Sequence, residues 1–257
     1  MQQIEPAAVA PVAMRLRHLF IFFTMSAALP AATVPETVVL LHGLGMSGWA
    51  MSRIENQLAS EGYRVVNLTY PSRTVPVETL AREWLPTQLA AHEIAAAPRV
   101  HFVTHSMGGI VVRAWLDDFR QRGIAPPANL GRTVMLAPPN QGTVVAEKLA
   151  GFSPFRWFTG VNGHRLGTSA TSIPLRLGSW PANAGELGII AGDRWFNPLF
   201  IFWFDGPNDG TVAVTHTHLA GERAHRVLPY SHTWLQWRGA TLDLVSAFLR
   251  TGTFESR

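Results

Sequence analysis

The chain has 257 residues, 47% hydrophobic and 15% charged, which suits one large α/β domain and is too apolar for a disordered chain. Its net charge of +4 comes from scattered arginines and a single lysine, Lys148, with no basic run or basic helix face, so nucleic acid is not expected as a partner. No cysteine is present, which excludes disulfides, a thiolate nucleophile and cysteine-based metal sites.

Residues 1–32 read as an N-terminal extension. Within it Met14-Arg15-Leu16-Arg17-His18 is basic, Leu19 to Met25 is apolar, and small residues follow at Ser26-Ala27-Ala28 and Ala31-Ala32. That order is the order of a secretory signal peptide, with Met14 a candidate start and cleavage expected between Ala28 and Ala32. The apolar run is shorter than the ~20 residues a spanning helix needs. A secreted or periplasmic protein is expected, with an N-terminal membrane anchor as the alternative.

Residues 33–257 alternate short strand-like runs with longer helix-like ones. Strands are expected at Thr37–Leu41, Arg64–Leu68, Val100–Val103, Thr133–Leu136, Leu187–Ala191 and Arg226–Leu228. Helices are expected over Ser47–Glu61, over Val77–Ala97 with Pro86 kinking or dividing it, from Met107 through Leu116, and over Trp234–Leu249. Alternation at this spacing predicts a mostly parallel central sheet with helices on both faces. Two stretches break the rhythm: residues 138–185, rich in Gly, Pro, Ser and aromatics, and Trp195 to Phe204, nearly all apolar. The first is expected to be an irregular, lid-like insertion.

Ser106 stands at the junction of a strand and a helix, between His105 and Met107 and ahead of Gly108 and Gly109. A serine hydroxyl is a weak nucleophile until a nearby base takes its proton. On a tight strand-to-helix turn its oxygen is exposed above the sheet edge, with a helix N-terminus aimed at developing negative charge. Small neighbours relieve the crowding of such a turn. Gly108 meets that need, whereas Thr104 occupies the position where the G-x-S-x-G pattern has its first glycine. His42-Gly43-Leu44-Gly45 follows the first strand, Asp209 lies in a tight loop, and His232 follows the last strand. There is no H-E-x-x-H, phosphate loop or dinucleotide fingerprint, so no metal or nucleotide cofactor is expected.

From Thr37 onward the sequence resembles the α/β-hydrolase superfamily, in particular its bacterial lipases and esterases. The resemblance rests on five ordered motifs: V-V-L-L-H-G-L-G, T-H-S-M-G-G, L-A-P-P-N-Q-G-T, G-P-N-D-G-T-V and S-H-T-W-L. It implies an α/β-hydrolase fold in which Ser106 is the nucleophile, His232 the base and then acid, and Asp209 the orienting carboxylate. It further implies an oxyanion hole made by the backbone amides of Leu44 and Met107. On chemistry alone His216, His218 and His225 rival His232, but they fall before or inside the last strand. Asp193 and Asp205 rival Asp209, which has the better motif match. His105 reads as a packing or loop-bonding residue.

The function expected is hydrolysis of carboxylic esters, with a small-molecule ester or lipid as substrate and contact with a lipid surface as an option. Acyltransferase, thioesterase and amidase chemistry use the same triad and stay open, as does a non-catalytic binding protein of the same fold. Aromatics of the two irregular stretches, Phe155 and Trp157 in one and Phe200 and Trp203 in the other, are the candidates for an apolar acyl pocket.

Overall fold

The computed structural model describes residue 2, residues 34–195 and residues 202–255. By its contacts the chain divides into residues 1–33 and residues 34–257. The signal-like segment and Phe200 lie outside the described residues.

Six strands form one sheet: β1 (Thr37–Leu41), β2 (Arg64–Leu68), β3 (Val100–His105), β4 (Leu130–Leu136), β5 (Leu187–Gly192) and β6 (Ala224–Leu228). Their order is β2-β1-β3-β4-β5-β6, and every pairing is parallel. β1, β3 and β5 are buried along their whole length, as apolar runs covered on both faces must be.

Successive side chains of a strand point to opposite faces, so each strand feeds two cores. Val39, Leu41, Phe102 and Ile189 pack on one side with Val77, Leu80, Ile110 and Trp115. Val38, Leu40, Val103 and Ile190 pack on the other with Ile54, Leu58, Val245 and Phe248. The first face is covered by α2 (Val77–Thr79), the turn Leu80–Trp84, α3 (Leu85–Ala91) and α4 (Met107–Gln121), and the second by α1 (Ser52–Ser60) and the closing α9 (Gly239–Thr251). Between α4 and α9 the chain forms α5 (Val144–Leu149), α6 (Ser153–Thr159), α7 (Ile173–Arg176) and α8 (Val214–Thr217).

Three expectations change in detail. The helix expected over Val77–Ala97 runs from Val77 to Ala91 and is continuous through Pro86, with a π-helical turn, Leu80–Trp84, preceding the proline. At that turn the Leu85 amide bonds to the Leu80 carbonyl, five residues back, which widens the helix where the proline ring would crowd a carbonyl. The helix stops before Glu93, whose φ is 51°, and Ile94–Ala96 is a separate 3-10 turn. The final helix starts at Gly239, after a 3-10 turn at Leu235–Trp237. Residues 138–185 hold three short helices, α5 to α7, each too short to show a sequence period.

That insertion is fastened to the sheet-covering helices by buried polar groups. The Arg113 guanidinium, on α4, donates to the carbonyls of Asn140, Pro174, Leu177 and Gly178 at 3.0–3.1 Å. Asn162 donates to the Ser72 and Val75 carbonyls, both at 2.8 Å, and accepts from the Val77 amide. Among the described residues no helix is long and apolar enough to cross a membrane.

Candidate active site

Ser106 sits on the turn between β3 and α4 with φ 52° and ψ −122°, a conformation that a residue bearing a Cβ rarely adopts. The strain persists because its neighbours determine it: the Ser106 amide donates to the Leu136 carbonyl at 2.8 Å, and the Ser106 carbonyl accepts from Gly109. Gly108 is required by space. A Cβ there would lie 2.6 Å from the Leu41 carbonyl oxygen and 2.9 Å from that of His42. The departure at Thr104 is absorbed by Gly109, where a Cβ would stand 3.2 Å from the Thr104 hydroxyl oxygen. The second glycine of the pair makes room for the threonine.

Asp209 lies beyond β5 in a loop that it organises itself. Its Oδ1 accepts from the amides of Thr211 and Val212 at 2.9 and 2.7 Å, and its backbone carbonyl accepts from the His232 amide at 2.9 Å. His232 follows β6. Its Nδ1 is 2.7 Å from Asp209 Oδ2, and its Nε2 is 2.9 Å from Ser106 Oγ. A carboxylate only accepts, so Nδ1 carries the proton and Nε2 is left to accept from the serine hydroxyl. Ser106, Asp209 and His232 are all buried, which strengthens each of these bonds relative to water.

The loop after β1 is held from behind. Tyr70 stacks on His42 with ring centroids 4.3 Å apart, and its hydroxyl donates to the His42 carbonyl at 2.7 Å. The Gly45 amide donates to Ser72 Oγ. Among the described residues the Leu44 and Met107 amides have no hydrogen-bond acceptor, so both stay available to one. Burial pushes the His42 imidazole below its ordinary range, and it raises the Tyr70 phenol above its own. Both therefore act as neutral partners.

Among the described residues, His216, His218, His225, Asp193 and Asp205 make no hydrogen bond to Ser106, Asp209 or His232. His218 and His225 stack on one another at 3.8 Å, with His218 bonded to Glu222 and His225 to Thr217. Asp193 pairs with Arg194, and Asp205 is exposed. Phe155 is half-buried against the core, Trp157 is exposed, and Trp203 is half-buried in the turn that follows residue 201. A cleft of about 480 Å³ lies beside the post-β1 loop, between Gly45, Tyr70, Ser72, Arg73, Trp157 and Gly160. Among the described residues no cluster of three acidic or histidine side chains could hold a metal.

His105 carries a role that its sequence position did not specify in detail. Its Nε2 donates to the backbone carbonyl of His232 at 3.0 Å, tying the residue before Ser106 to the loop that carries His232. Burial and the nearby His232 ring push the His105 imidazole down to about 3, so it stays neutral. Tyr70 and Ser72, which brace the post-β1 loop, also went unnoticed in the sequence; the Tyr70-Pro71 step marked only a strand end.

The family model described as "Alpha/beta hydrolase family" matches residues 38–252. The chain belongs to the alpha/beta hydrolase family. This alpha/beta hydrolase matches no curated protein at a significant level. Its fold is shared by the lipase BlEst2 of Bacillus licheniformis in mature form, at 19% identity and a TM-score of 0.65, over 86% of this chain and 93% of that one. The phospholipase PlaB of Legionella pneumophila aligns at 20% identity and a TM-score of 0.58, over 72% of this chain and 45% of that one. The lin2722 product of Listeria innocua aligns at 12% identity and a TM-score of 0.57, over 84% and 94%.

Proposed function

We propose that this alpha/beta hydrolase cleaves carboxylic esters through an acyl-enzyme. The observation that carries the reading is the hydrogen-bonded chain Ser106 Oγ–His232 Nε2 at 2.9 Å and His232 Nδ1–Asp209 Oδ2 at 2.7 Å. In this reading His232 takes the serine proton as Ser106 attacks the ester carbonyl. The Leu44 and Met107 amides then bind the oxyanion, and His232 protonates the departing alcohol. Water activated by His232 releases the acid and restores the serine. Asp209 holds the imidazole in one tautomer and stabilises the imidazolium without taking its proton.

In the same reading residues 33–257 form the single catalytic domain, and residues 14–32 direct export. N-terminal sequencing of protein from the native host tests the export: a chain cut between Ala28 and Ala32 supports it, and an uncut cytosolic chain refutes it.

The chemistry is tested with a fluorophosphonate probe and a series of aryl esters from acetyl to octanoyl. Labelling of the intact chain, its loss in Ser106→Ala, and turnover of the esters support the proposal. An unlabelled, inactive chain would mean a binding protein, and turnover confined to thioesters or amides would reassign the leaving group.

A further inference from the structure

Six aromatic side chains stand out among the described residues by their exposure. Trp49, Phe152, Trp157, Phe158, Phe202 and Trp234 are each more than half exposed. All six lie on segments that leave the C-terminal ends of strands: β1, β4, β5 and β6. That is the sheet edge from which Ser106, Asp209 and His232 also project. Trp157 lines the cleft beside the post-β1 loop together with Gly45 and Ser72, and Arg73 lies against both the Trp157 and the Phe158 rings, which puts these two aromatics at that edge. Two neighbouring exposed aromatics beside the site mark a contact surface rather than single scattered residues.

The charge on this edge selects the partner. Arg73 places its guanidinium 5.9 Å from the Trp157 ring centroid and 5.8 Å from that of Phe158. Arg73, Lys148 and Arg156 are exposed, and among the described residues none has a carboxylate partner. Glu147, the acid next to Lys148, spends its Oε2 on the amides of Thr168 and Ser169. Asp205 is the exposed acid near Phe202. Arg73 donates to the Trp157 carbonyl at 2.7 Å, which holds its charge beside the ring without neutralising it. Tryptophan and phenylalanine flanked by cations without a carboxylate partner match a headgroup layer, where rings enter the acyl boundary and cations meet phosphates.

We propose that the sheet edge carrying Ser106 docks on an anionic lipid surface, with Trp157 and Phe158 entering it and Arg73, Lys148 and Arg156 meeting lipid phosphates. This deepens the proposed ester hydrolysis, on which it rests, by naming the surface that presents the substrate.

The test uses the full chain carrying Ser106→Ala, so that binding is read without turnover. The absence of native cysteine allows a polarity-sensitive maleimide dye to be placed on Phe158→Cys or, at the opposite edge, on Ile124→Cys. Vesicles of phosphatidylcholine alone are compared with equal mixtures of phosphatidylcholine and phosphatidylglycerol. The expected result is a blue shift of the dye on Phe158→Cys with the mixed vesicles only, and none on Ile124→Cys. Adding Arg73→Gln and Arg156→Gln should weaken partitioning about tenfold or more, as should raised salt.

No shift at Phe158→Cys, equal shifts at the two sites, or equal shifts on neutral vesicles would each overturn the proposal. A concentration-dependent shift without vesicles would assign the face to a second copy of the chain. Turnover of soluble aryl esters by the chain with Ser106 intact reads the hydrolase proposal separately, so either can fail alone.

Discussion

His105 and His232 are joined side chain to backbone rather than ring to ring: the buried Nε2 of His105 donates to the His232 carbonyl at 3.0 Å, with the rings 4.9 Å apart. The bond spans 127 positions and fixes the loop of His232 against the residue preceding Ser106. In the proposed ester hydrolysis His105 is a positioning residue. His105→Leu should lower kcat by about a hundredfold with little change in KM, since a 1 Å displacement of a catalytic group is worth that much. His105→Gln, which keeps a donor, should recover part of it. Steady-state kinetics on a soluble aryl ester would decide; a change in KM alone would remove this role.

The triad reading makes its own demand on kinetics. Ser106→Ala and His232→Ala should each lower kcat by about a millionfold, and the double variant little more, because the two groups act as one unit. Asp209→Asn should lose less than either. Loss of activity in His225→Ala with His232→Ala still active would reassign the base.

Stability should fall in mild acid. The His105 imidazole is held down to about 3, and burial also lowers His42 and His101. An unfolded histidine takes up its proton near 6.5, so between about pH 6.5 and 3 the unfolded chain binds more protons than the folded one at His105. The folded state is then fully favoured above that window and loses about 1.4 kcal/mol per pH unit at His105 as the pH drops through it. Thermal melts from pH 8 to pH 4.5 should show a flat upper limb and a steep lower one. A melting temperature independent of pH over that range would contradict the burial of a neutral His105.

The two glycines after Ser106 should respond differently to alanine. At Gly108 the new methyl would meet the Leu41 and His42 backbone oxygens at 2.6 and 2.9 Å, and main chain cannot step aside. Gly108→Ala should abolish activity or folding. At Gly109 the nearest atoms are Met135 Sδ and Thr104 Oγ1, at 3.1 and 3.2 Å. There a flexible methionine can yield, so the loss should be about 1–3 kcal/mol of overpacking, partly relieved by Thr104→Ala. Equal losses at the two positions in urea unfolding would count against this account.

Arg113 holds the insertion by its charge. Burial lowers its guanidinium only to about 10, so it remains protonated while feeding four carbonyls from two parts of residues 138–185, Asn140 and the stretch from Pro174 to Gly178. Arg113→Met should destabilise the protein by about 3–5 kcal/mol, because it leaves those carbonyls without a donor. The same change should raise proteolysis within residues 138–185 before the rest of the chain. A shift in the urea midpoint equivalent to less than about 1 kcal/mol would mean that water replaces the arginine.

Much of this architecture is written in local pattern. Thr37–Leu41 and Arg64–Leu68 were bounded correctly from sequence because each apolar run ends at residues that break a strand. The Ser106 corner was legible for the same reason: an apolar strand, one hydroxyl and two glycines leave few other turns. The short helices α5 to α7 were not legible, since four to seven residues complete fewer than two turns and show no period. Nor was the bridging role of Arg113, whose acceptors lie up to 65 positions away.

Chain order alone placed a serine, an aspartate and a histidine in sequence, together with three further histidines and two further aspartates as rivals. Which of them touch was a matter of geometry. His232 reaches Ser106 across 126 positions because β6 and β3 run parallel in one sheet, so both residues emerge at the same edge. His218 and His225 are taken up by each other and by Glu222 and Thr217. A strand reports its own face and ends, but the partner of a side chain depends on which other strand ends arrive beside it. That is fixed only when the strands come together and the buried polar atoms of Ser106, Asp209 and His232 find one another as partners.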